Sequence, residues 1–184
     1  MPAPSPSGSL PPRLLAALVA VADRLARAGA EWLLAGSAGR ALQGFAVRPA
    51  DLDLEASPRH AAAAAAALGV ELRREAGGGR AAARAQTIVA RSRIDLTCDL
   101  EVEGPGGRLG ADFDRQRAWA APVDVAGRTV LLAPMEETLV RALVLGEWAV
   151  LERLSREAVA GTAAPPRAAY LSWRLSSARD SAAR

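Results

Sequence analysis

The segment RIDLTCDLEV, residues 93–102, constrains the fold more than any other stretch of this chain. Ile94, Leu96, Cys98, Leu100 and Val102 share one parity, and Asp95, Thr97, Asp99 and Glu101 share the other. Successive side chains on a strand point to opposite faces, so this alternation predicts a strand with one apolar and one polar face. DLDLEA, residues 51–56, repeats the pattern, with Asp51, Asp53 and Glu55 on one side and Leu52, Leu54 and Ala56 on the other.

Around these strands the periodicity is mixed. Leu14, Leu15, Leu18, Val21, Ala22 and Leu25 recur at helical spacing, which predicts a helix from Pro11 or Pro12 to Ala28, stopped by Gly29. Residues 32–35 read as a short buried strand and 38–43 as a short helix. Ser57 and Pro58 open an alanine helix that runs to Leu68. Further strands are expected at 70–75 and 81–90, separated by the Gly77–Gly79 turn. A loop is expected over 104–110, and a hairpin joins 118–124 to 128–132 across Ala126 and Gly127. Helices follow at 134–145, 147–160 and 167–178. The order predicts an α+β fold: a mixed β-sheet core with flanking helices and a helical C-terminal end. Residues 1–11 form a Pro- and Ser-rich leader, 12–133 the core and 134–184 a C-terminal helical segment.

Composition excludes several chemistries. All 23 basic side chains are Arg, so neither Schiff-base chemistry nor a phosphate-loop lysine is available. One cysteine, Cys98, and one histidine, His60, exclude an internal disulfide and a Cys- or His-rich metal cluster. No segment reads as a signal peptide or a bilayer span, so a cytoplasmic protein without membrane partners is expected. The formal charge of +3 leans toward anionic partners.

The chemistry concentrates in WLLAGSAGRALQGFAVRPADLDLEA, residues 32–56. Gly36 lets the backbone approach a bulky anion. Ser37 offers a hydroxyl and an amide at a helix start, and together they make a phosphate cradle. Asp51 and Asp53, at i and i+2 of a strand, present paired carboxylates, the ligands that a pair of Mg²⁺ ions needs around a triphosphate.

Gly-Ser, a short helix, and then two acids flanking one hydrophobic residue resemble the nucleotidyltransferase superfamily related to DNA polymerase beta, in particular its small bacterial minimal and toxin-type members. PMEETLVRAL, residues 134–143, resembles the start of the helical part of those members. The resemblance implies transfer of a nucleoside monophosphate from an NTP such as ATP to a hydroxyl. Asp51 and Asp53 would hold Mg²⁺ or Mn²⁺. A third carboxylate would come from a later strand, with Asp95 preferred over Asp99, and would also help deprotonate the acceptor. Gly36 and Ser37 would hold the β- and γ-phosphates, with Arg40 and Arg48 as triphosphate clamps. The acceptor could be a small molecule, a tRNA or a protein, and an antitoxin-type partner is compatible. The alternative is a catalytically degenerate member that binds a nucleotide or a partner. Outside these motifs the residues read as structural: His60 on a solvent-facing helix, Cys98 in the core, and Trp119, Trp148 and Trp173 as packing residues.

Overall fold

The structure, a computed structural model, describes residues 10–182. The leader expected over 1–11 falls largely outside these; Leu10 is buried and Pro11 precedes the first helix. Helix α1 (Pro12–Arg27) buries Leu14, Leu18, Val21 and Leu25 along one stripe. Strand β1 (Trp32–Ala35) runs directly into α2 (Gly36–Leu42), and β2 (Leu52–Ala56) follows after a loop. A single 3-10 turn (Pro58–His60), capped by Ser57, leads into α3 (Ala61–Leu68).

Strands β3 (Arg73–Gly77), β4 (Arg80–Val89) and β5 (Ser92–Gly104) form an antiparallel meander. The tight β4–β5 turn puts Ala90 and Arg91 at φ 46° and 62°, the left-handed pair that a two-residue hairpin turn requires. A short strand, β6 (Gly107–Leu109), folds back on β5 where a loop is expected from sequence. Helix α4 (Phe113–Ala118), capped by Asp112, is also unexpected. Then come the hairpin β7 (Ala121–Val125) and β8 (Arg128–Leu132), and helices α5 (Met135–Leu145), α6 (Trp148–Val159) and α7 (Ala168–Ala182).

The strands make one mixed sheet in the order β3-β4-β5-β2-β1-β8-β7, with β6 on β5. β2 runs parallel to β5 and β1 parallel to β8; the other pairs are antiparallel. The main core joins the apolar stripe of α1 and Ala64, Ala65 and Leu68 of α3 to Leu34, Leu52, Leu54, Ile94 and Leu96 of the sheet. A second cluster gathers Val102, Leu109, Val140, Val144 and Ala178 from β5, β6, α5 and α7.

One bulge explains why β5 contributes to both of these clusters. Ala83 pairs with Cys98, but Ala81 pairs with Glu101, so β5 carries one extra residue there. Asp99 takes it up at φ 55°. An inserted residue inverts the alternation beyond it. Leu100 and Val102 therefore leave the face of Ile94 and Leu96 and join the C-terminal helices. The expectation of one apolar face from Ile94 to Val102 is corrected on this point.

Candidate active site

The polar parity of the central strands assembles the site. Ala35 of β1 is the register partner of Asp53, Asp53 of Asp95, and Asp95 of Gln86. Register partners share a face, so one row across four strands carries both carboxylates. Asp51 lies two residues before Asp53, immediately ahead of β2 and on the same side. An open cleft of about 720 Å³ lies beside this row, lined by Asp53, Arg73, Arg84, Gln86, Arg93 and Asp95 among others.

Gly36 abuts the acid row. It sits at φ 59°, and a Cβ built there would lie 1.7 Å from Asp53 Oδ2. Both backbone angle and space require glycine, because the β1–α2 turn is pressed against the Asp53 carboxylate. Ser37 is the next residue of α2, partly exposed.

The electrostatics show crowding. Burial, reinforced by the neighbouring charges of Asp51 and Asp95, pushes the Asp53 carboxyl up from 3.8 to about 6, against the opposing pull of Arg93 and Arg40. Arg93 bridges the other two acids: its guanidinium donates to Asp51 Oδ2 and its Nε lies 2.9 Å from Asp95 Oδ2. The charges of Asp95 and Asp51 raise the affinity of Arg93 for its own proton.

The remaining sequence candidates are placed differently. Asp99 is not gathered with the acids. At the bulge it turns to Arg74, whose Nη1 donates to its Oδ2 at 3.3 Å. Arg73, the strand neighbour of Arg74, lines the cleft, so Arg74 and Asp99 lie toward the other side of β3. Arg40 is buried, and its Nε donates to Glu157 of α6 at 3.1 Å. Arg48 is exposed in the loop before the acids. Trp148 is 70% exposed rather than packed, whereas Trp119 and Trp173 sandwich Tyr170 edge-on. His60 is half-buried, with Nδ1 2.9 Å from Ser57 Oγ, and Cys98 is buried.

Sequence reasoning missed two features. Arg93 was legible in its parity, which it shares with Asp95, but carried no assigned role. The second is a buried ionic clasp built by α7. Glu137 accepts from Arg174 Nε at 2.8 Å, from Tyr170 Oη at 2.7 Å and from Arg141 Nε at 3.1 Å. Arg141 in turn reaches Glu55 of β2 at 2.5 and 3.0 Å. This ties the C-terminal helices to the same strand that carries Asp53.

Whether the site suits a divalent cation can be judged from its donors. Among the described residues, no three acidic, His or Cys side chains stand grouped as a ready-made metal cage. The donor chemistry nevertheless fits a hard cation: three carboxylates, all oxygen, with more negative charge than Arg93 neutralises. Asp51, Asp53 and Asp95 are the residues that could hold it.

The fold has a counterpart among solved structures. A crystal structure of a putative nucleotidyltransferase from Thermotoga maritima aligns with a TM-score of 0.66 at 19% identity, covering 80% of this chain and 94% of that one. The mixed-sheet nucleotidyltransferase-like fold is thus shared with that protein. No family model matches the chain, and no curated protein matches it by sequence. Among the described residues, no helix is long and apolar enough to cross a membrane.

Proposed function

We propose that this protein is a divalent-metal-dependent nucleotidyltransferase, moving a nucleoside monophosphate from an NTP such as ATP to a hydroxyl acceptor. The observation that carries this reading is the row of Asp53 and Asp95, with Asp51 beside it, pressed against the Gly36 turn at the edge of an open cleft. The fold shared with the Thermotoga protein supports it.

In this reading Asp51, Asp53 and Asp95 hold Mg²⁺ or Mn²⁺, which when bound offsets charge on the triphosphate and on the departing pyrophosphate. The chain's own residues do the rest. Gly36 lets the turn sit directly against the Asp53 carboxylate, and Ser37 supplies a hydroxyl and an amide to the phosphates. The Asp95 carboxylate receives the proton of the acceptor hydroxyl as its oxygen attacks the α-phosphorus. Arg48, exposed just ahead of Asp51, is available to the triphosphate. Arg40 adds positive charge near Asp53 while anchored to Glu157.

The acceptor is a hydroxyl on a small molecule, a tRNA or a protein, and in the last case a neutralising partner of the antitoxin kind fits. The test is incubation with α-labelled NTPs, Mn²⁺ and each acceptor class. Label should move to one class with wild type and not with Asp53→Ala. Transfer that survives the substitution would remove Asp53 from the mechanism.

A second reading has its own observation. Arg93 lies across Asp51 and Asp95, as it would in a degenerate member that binds a nucleotide or a partner without turnover. Calorimetry separates the two: NTP binding that needs Mg²⁺ and is lost in Asp51→Ala favours the enzyme, and metal-independent binding favours the module.

A further inference from the structure

Arg93 is the one cation seen in direct contact with the acid cluster among the described residues. It is the second residue of β5 and shares a face with Asp95. Its side chain is 55% exposed, while those of Asp51 and Asp95 are only 17% exposed. The guanidinium therefore sits at the solvent edge of a half-buried carboxylate cluster, holding one oxygen of each of two acids, one just ahead of β2 and one on β5. Its register partner on β4 is Ile88, which is exposed and offers no competing charge.

We propose that Arg93 is an internal counter-ion of this cluster, displaced when a divalent cation and a triphosphate arrive together, and then free to hold the triphosphate. The proposal rests on the nucleotidyltransferase reading above. A guanidinium and a divalent ion drawn to the same carboxylates repel each other, so the two compete. Arg93 also lines the cleft. Its flexible stem keeps the released guanidinium there, where a triphosphate matches its bidentate donor geometry. Displacement without a triphosphate leaves Arg93 with no anion. Metal and nucleotide therefore assist each other's binding, and that coupling is reciprocal. The triphosphate clamp expected of Arg40, which is engaged by Glu157, passes to Arg93.

The test is calorimetric titration of Mn²⁺ into wild type, Arg93→Gln and Arg93→Lys, with and without a non-hydrolysable NTP analogue. Arg93→Gln should bind Mn²⁺ alone about tenfold tighter than wild type, a difference of about 1.4 kcal/mol. Arg93→Lys, which keeps the charge, should stay close to wild type. The analogue should tighten Mn²⁺ binding markedly in wild type and little in Arg93→Gln. Equal Mn²⁺ affinities in wild type and Arg93→Gln, abolished in both by Asp53→Asn, would overturn the role of Arg93 and leave the enzyme reading standing. Absence of Mn²⁺ binding in both would overturn the two together. A readout that needs no variant is the Nε–H resonance of Arg93 in the wild-type chain. It should shift as Mg²⁺ and the analogue are added, and an unmoved resonance under those conditions contradicts the proposal.

Discussion

At the scale of single residues, the acid row costs the fold stability. Asp53 ionises only at about 6, because burial and its two acidic neighbours oppose the charge. A carboxyl whose folded value lies above its unfolded one makes the fold less stable as pH rises through that interval. The loss is complete above about pH 6 and amounts to at most about 3 kcal/mol, at about 1.4 kcal/mol per pH unit. Asp53→Asn should therefore raise the melting temperature near neutral pH and change it little near pH 4, as measured by thermal unfolding across that range. A variant less stable than wild type at neutral pH would contradict the crowding.

Gly36→Ala makes the opposite case. The new Cβ would fall on the Asp53 carboxylate, and the backbone there is left-handed. The backbone angle alone costs about 1–2 kcal/mol, and the carboxylate must move as well. Thermal unfolding should show a fold that is weakened but retained, and calorimetry should show loss of Mn²⁺ binding. Full retention of binding would separate the turn from the acids.

At the scale of elements, α7 matters through what it secures. Burial pushes the Glu137 carboxyl up, but Arg141, Arg174 and Tyr170 together hold it below the usual range. Burial does the same to Glu136, and Arg167 outweighs it. Carboxyls held low lend stability that is present above about pH 4.5 and fades as pH falls below it, opposite in sign to Asp53. Removing one partner of a buried ion pair typically costs about 3–5 kcal/mol. Arg174→Leu should approach that range by denaturant unfolding, with the larger share lost at neutral pH. A cost under about 1 kcal/mol would mean that the clasp is slack.

The elements also show what could be read from sequence. Parity in residues 51–56 and 93–98 placed Asp51, Asp53 and Asp95 on polar faces, because alternation is a local property of a strand. The bulge at Asp99 was not legible, since nothing in RIDLTCDLE marks where a residue will be left unpaired. The inverted parity of Leu100 and Val102 follows from it. β6 and α4 were too short to show a period. The clasp depends on pairs far apart in the chain, such as Glu137 with Arg174, and periodicity carries no information about such pairs. Arg40 read as a clamp because it lies one turn beyond Gly36, but Glu157, on a helix more than a hundred residues later, engages it.

At the scale of the whole molecule, the parallel pairing of β2 with β5 brings Asp53 to Asp95, and the clasp from α5 and α7 fastens β2 from the side of Glu55. The α1 and α3 layer supplies the core on the opposite face. The acid-bearing face thus also carries the clasp and the second core cluster, and Arg serves in both settings. Arg141 and Arg174 are locked into structure, while Arg93 is left at the surface of the acids.

The most direct measurement is a crystal structure of the protein with Mn²⁺ and a non-hydrolysable NTP analogue, read by anomalous scattering. The expected result is a Mn²⁺ peak bounded by Asp51, Asp53 and Asp95, with the triphosphate beside Gly36 and Ser37 and Arg93 turned off the carboxylates. A structure saturated with both ligands that shows no peak at the three acids, and Arg93 still bridging Asp51 and Asp95, would contradict it.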